Sequence, residues 1–387
     1  MTRFAIVGGR VLPVSGPPIE SGTVLVADGR IEAVGDASLS VPDDVVTVSA
    51  RGQWVLPGLI DAHTHLGIQE DGNGVSGADH DETSDPNGAH LRVIDGLNPA
   101  DPAFRDAVMG GVLAVGVSAG SGNPIGGQAV AVRCVGAPVT ELVLRDPCGV
   151  SAASGSDPKR THALAGRFPS TRMGTVAVIR EALARARAGD DASGVLTRVL
   201  TGEIPLRHHA HRADDIATAV RLSDEFGHRL VITRATEAAP VSALLAERGI
   251  PVVLGPLIVA RRGSEMRGRS MGTARRLAEA GVPLALSTAH NRNPVQFLAH
   301  QATFAVREGL DRATALQALT TVPARILGID DRLGSLEAGK DADLCLWTGD
   351  PFDVGHRVAA AYMRGELVYR YDPDRKVGLF GDEACTL

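Results

Sequence analysis

Two histidines separated by a single residue, His63 and His65, lie in the segment VLPGLIDAHTHLG at 55–67. The apolar run from Val55 to Ile60 predicts a buried strand leading into them. Side chains at i and i+2 of a strand share a face, so both imidazoles point the same way. Two neutral imidazoles converging at a strand end make half of a divalent-metal site. On its own the pair reads more readily as two half-exposed loop histidines, and the rest of the chain reverses that balance. Residues of matching chemistry recur downstream: His209 and His211 in HHAHRADDI, Arg234 in VITRATEAA, and His290 in LALSTAHNRNP. His209 and His211 repeat the i, i+2 relation, and His211 could touch a substrate or steady His209. His208 should point the other way and is read as structural. Arg234 offers a permanent cation with a planar fork suited to a carboxylate; its plainer role is an ion pair with Glu237. His290 is a candidate acid–base group, or else a strand-end histidine bonded to backbone.

Bringing these residues to one place requires parallel strands that end together. Apolar, strand-like runs are predicted at Val55–Asp61, Val112–Val117, Ala129–Cys134, Cys148–Ala152, Leu206–His209, Leu230–Thr233, Pro251–Leu254 and Pro283–Ser287. Helical stretches alternate with them, an order that implies parallel strands joined by right-handed crossovers. Eight such strands close a barrel, whose chemistry sits at the C-terminal strand ends. His63, His65, His209, Arg234 and His290 all fall at those ends. Short β-rich runs before residue 50, and again at Asp343–Trp347, Val358–Met363 and Leu367–Tyr369, predict a small accessory β-domain.

The chain has 387 residues, enough for one large barrel with an accessory domain. Aromatic residues are 3% against 44% apolar residues overall, so Ala, Val, Leu and Ile must build the core. A formal net charge of -6 gives no basic footprint for nucleic acid. No window has the apolar length of a membrane span, and Met1 to Pro13 lacks a signal-peptide pattern. Cys134, Cys148, Cys345 and Cys385 are scattered, without a CxxC pair, which fits a reducing cytoplasm. The expected setting is therefore cytoplasmic. The expected partner is a small-molecule substrate, with neither nucleic acid nor membrane, and the chain is expected to form a homo-oligomer.

LPGLIDAHTHLG resembles the first barrel strand of the amidohydrolase superfamily, in its imidazolonepropionase-like branch. The likeness continues through DPKR at 157–160, PSTRMGT at 169–175, HAHRADDI at 209–216 and LTTVPARILGIDDRLGSLEAGKDADLCLW at 319–347. It implies a (β/α)8 TIM barrel over 55–336, with a small β-sandwich domain formed by the N- and C-terminal segments, 1–54 and 337–387. Members of this type hold one or two divalent metals. Their ligands are the His-x-His pair, a carboxylated lysine on strand 4, a histidine each on strands 5 and 6, and an aspartate on strand 8. Here His63, His65 and His209 match. The lysine position is Ser151, the strand 6 histidine is Arg234, and the aspartate is Ala289. Ser156 stands where the branch carries a glutamate. His90 and Glu82, in the long polar segment 69–90, match family positions and are expected to bind substrate with His211 and Arg234.

Three altered ligand positions, one now a cation, exclude a dinuclear centre. The expectation is no cofactor, or one divalent metal such as zinc on His63, His65 and His209. The leading functional expectation is acid–base chemistry on a small polar substrate: cyclisation, dehydration, isomerisation or C–N bond formation, with His290 and Arg234 catalytic. The alternatives are a mononuclear metal-dependent hydrolase of an amide or other C–N bond, and a non-catalytic relative that binds a ligand or partner.

Overall fold

Gly58 is the point at which the chain changes sheets. Trp54–Pro57 pairs with Arg3–Val11 and with Leu344–Trp347, whereas Leu59–Thr64 opens the barrel. A Cβ on Gly58 would lie 2.7 Å from the Leu113 side chain, so the crossing point needs glycine. The run expected as one strand over Val55–Asp61 is thus two. This computed structural model describes residues 3–261 and 263–385. Residues 1, 2, 386 and 387 of the segments assigned to the accessory domain lie outside them.

The barrel strands are Leu59–Thr64, Val112–Val117, Ile125–Arg133, Val143–Ala153, Leu206–Ala210, Leu230–Arg234, Val252–Leu254 and Leu284–Leu286. They form one eight-stranded sheet in chain order. All eight expected runs are strands, but the expected all-parallel order is corrected. The third strand is antiparallel to both neighbours. The physical reason is connection length. Only residues 118–124 join the second strand to the third, too few for a crossover helix but enough for an antiparallel return. The sheet is a distorted TIM barrel.

The seam between first and last strands is closed chiefly by side chains. The Asp61 carboxylate accepts from the Thr288 amide at 2.9 Å and its hydroxyl at 2.6 Å, and from the His63 amide at 3.2 Å. Ser287 Oγ donates to the His63 carbonyl at 2.9 Å, and the His65 amide to the His290 carbonyl at 2.8 Å. Register then stacks the interior in layers. His209 pairs with Ala153 and Thr233, and Thr233 with Val253. Two residues lower, Arg207 pairs with Ser151 and Val231. Alternation along a strand sends both layers inward, and sends His208 outward to sit near His228.

The accessory strands form one continuous nine-stranded sheet. Phe4 and Tyr362 lie on strands separated by two others, yet their rings stack at 5.3 Å. Adjacent strands are about 4.8 Å apart, so this contact requires the sheet to fold over itself, enclosing a core from both chain ends. Buried Arg133, ending the third barrel strand, bonds Asp341 at 2.5 Å and Asp343 at 2.8 Å. That trio ties the barrel to the C-terminal segment.

Candidate active site

His63 and His65 end the first barrel strand with ring centroids 5.5 Å apart; across the barrel, His209 and His211 lie 4.9 Å apart. Arg234 ends the sixth strand. Simple alternation would turn it outward like Ile232, but its φ of 72°, followed by 50° at Ala235, breaks the strand into the left-handed region. The guanidinium is thereby electrostatically coupled to all four histidines and is only 5% exposed. Ala289, at the lost aspartate position, also has a positive φ, 49°. Left-handed backbone at two strand ends facing one space is strain stored at the site.

Burial, followed by the Arg234 charge, pulls His65 down to about 3 and His211 to about 4. His63 falls well below the usual histidine range for the same two reasons, and His209 through burial and then His211. These imidazoles are neutral at physiological pH. Arg234 is itself drawn down to about 10, by burial and then by Arg292, so it stays charged. No carboxylate forms an ion pair with it among the described residues. Glu237, expected as its alternative partner, instead accepts from the Ala213 and Gly268 amides.

Several polar atoms here are buried without a partner: both nitrogens of His63, Ser151 Oγ, Thr233 Oγ1, Arg234 Nε and His290 Nδ1. His65 Nδ1 lies 2.7 Å from the Ser118 carbonyl, which places its proton there and leaves Nε2 free. His290 Nε2 is 3.3 Å from the Asp71 carboxylate, whose side chain is 44% exposed. Asp71 opens on a cleft of about 470 Å³ lined also by Gln69, Glu70, Val75 and Asn291. Asp101 fixes this loop, capping its own helix at Ala103 and accepting from the Gly67 and Asp71 amides. His209 Nε2 is 3.9 Å from Asp157. His211 Nδ1 bonds Thr236 Oγ1 at 2.6 Å.

The structure brings together His63, His65, His209, His211 and Arg234, with His290 joined through the His65 backbone. Glu82 and His90 stand apart. Glu82 is exposed and accepts from the Ser84 amide; His90 is exposed, and its carbonyl faces Gln128. The loop contributes His80 instead, 5.6 Å from His65, with Asp81 held by the Gly122 amide. Asp71, Asp157 and Arg292 were not anticipated. Asp157 was visible in the DPKR motif at a helix start, whereas nothing local marked Asp71.

The donors present decide which metal centre the site could hold. Ser151 and Ala289 supply no anionic ligand, and the Arg234 cation acts on each of His63, His65 and His209. A dication about 5 Å from a guanidinium is repelled by several kcal/mol at an effective dielectric near 20. Among the described residues, no group of three or more His, Cys, Asp or Glu is arranged to hold a metal ion. The donor set does not fit a dinuclear centre.

Residues 187–369 match the model of an amidohydrolase family. A solved structure of an amidohydrolase from Thermotoga maritima MSB8 is 39% identical, with a TM-score of 0.91 over 95% of this chain and 100% of that one. The amidohydrolase tasK of Hapsidospora irregularis is 29% identical over 89% of this chain, which spans only 39% of that longer protein. An imidazolonepropionase of Rhizorhabdus wittichii is 26% identical over 92% of this chain and 94% of its own. With the barrel, the His-x-His strand end and a full-length likeness at this identity, the chain belongs to the amidohydrolase superfamily of enzymes.

Proposed function

We propose that this chain is a divergent amidohydrolase-fold enzyme that carries out acid–base chemistry on a small substrate bearing a carboxylate or other anionic oxygen. The observation that carries this reading is Arg234, a buried guanidinium without a carboxylate partner, set among four neutral histidines. Such a cation calls for an anion, and a substrate carboxylate on its fork would complete the site. His290 is the acid–base group of this reading, with Asp71 positioned to steady the imidazolium as it forms. The chemistry is a proton transfer: cyclisation, dehydration, isomerisation or C–N bond formation. His211 and Arg234 contact the substrate, and we place the chain nearest the imidazolonepropionase branch on relatives 25–28% identical.

A second reading is a mononuclear metal hydrolase using His63, His65 and His209. The free Nε2 of His65, with its proton held by Ser118, favours it. The test between them is ligand binding. A panel of small mono- and dicarboxylates should raise the melting temperature of the wild type and not that of Arg234→Ala. Equal affinity for both proteins would remove Arg234 as the anchor.

A further inference from the structure

One layer below the histidines, a second arginine crosses the barrel. Arg207 is 2% exposed, and its chain runs past Gly149, where a Cβ would lie 2.6 Å from the arginine Cδ. Nη2 donates to the Ala62 carbonyl on the opposite strand. Nε and Nη1 are buried and have no partner. No carboxylate ion-pairs with it among the described residues, and the one acidic group acting on it is the Cys148 thiol. Its register neighbour Ser151 holds a buried, unpartnered hydroxyl. His63, coupled electrostatically to Arg207, has both ring nitrogens unpartnered.

These orphans are of one kind. Arg207 offers three N–H donors, one on Nε and two on Nη1, Ser151 an O–H, and neutral His63 one N–H. A water could satisfy the hydrogen bonds but would leave a full buried charge uncompensated, which is costly. We infer that Arg207, Ser151 and His63 form an interior binding site for a small monovalent anion of halide size, distinct from the substrate anchor at Arg234. It neutralises Arg207 and holds the floor beneath His63 and His209. This site does not depend on which reaction the enzyme performs.

The test uses bromide and chloride. Crystals of the full chain soaked in bromide should show an anomalous peak beside Arg207 Nε and Ser151 Oγ. At fixed ionic strength, replacing gluconate by chloride should raise the melting temperature by about 2 °C. Arg207→Met should fold, because an apolar chain of similar length replaces the buried charge and its counter-ion together, a change that is often neutral or stabilising, and should lose the chloride response. Ser151→Ala, a smaller change, should keep the fold and shift the chloride midpoint to higher concentration. A water in place of bromide, or an equal chloride response in Arg207→Met, would overturn the site. Neither outcome bears on Arg234, which is tested with carboxylates.

Discussion

Arg234 is placed by its backbone as much as by its chemistry. A residue at that point of a regular strand would face the surrounding helices, and the left-handed turn at 234–235 brings it over the barrel mouth instead. The sequence revealed the residue type and the strand end but not this turn, since neither Arg nor Ala ordinarily signals a positive φ. It also offered Glu237 as a plausible partner, which the structure assigns to backbone amides. Arg234→Ala should therefore leave stability nearly unchanged or improved while abolishing carboxylate binding. Arg234→Lys should restore only a fraction, because an ammonium lacks the planar fork. A fall in melting temperature with unchanged ligand affinity would identify a structural arginine. At the same scale, Asp71→Asn should lower turnover if His290 is the acid–base group. A silent substitution would remove that pair from the reaction.

Among the elements, the strand ends were legible and the strand directions were not. Eight apolar runs fixed where the histidines would gather, because period and length mark strands well. Direction depends on the connections, and the short link at 118–124 was the one signal that the third strand turns back. The polar loop after the first strand was harder still. Within it the match to family positions singled out Glu82 and His90, nothing local marked Asp71, and the contacts that anchor the segment were not visible. Gly120 and Gly122 are such anchors: a Cβ on either would come within 2.5 or 2.9 Å of the Asp81 carboxylate. Gly120→Ala should displace the Asp81 segment, seen as faster amide exchange over residues 78–90 with little loss of global stability. Unaltered exchange there would show that the loop is held elsewhere.

For the whole molecule, two buried polar features bear on stability. Arg133 with Asp341 and Asp343 is a buried charged trio joining barrel and terminal sheet. Arg133→Ala, which leaves buried Asp343 without its ion-pair partner while Asp341 keeps Arg332, should cost about 3–5 kcal/mol in denaturant unfolding. Adding Asp343→Asn to it should recover part of the loss. The second feature is the set of buried neutral histidines. His65 and His208 are lowered to about 3, and His211 and His228 to about 4, mainly by burial. Their folded pKa values lie below the unfolded value, so the unfolded chain binds more protons as pH falls. Stability is full above about pH 7 and declines from about 6.5 towards the folded values. Near pH 5.5, unfolding should take up roughly three to four protons from these groups. A melting temperature flat from pH 7 to 5 would show that these histidines are already charged in the fold.

The central claim, that a guanidinium holds the position of a metal, is tested most directly by elemental analysis of protein purified without added metal. The wild type is predicted to carry well under one equivalent of any divalent transition metal. The Ser151→Lys, Arg234→His and Ala289→Asp triple variant is predicted to acquire zinc. Wild-type protein holding one or more tightly bound equivalents, lost on His63→Ala, would contradict the account.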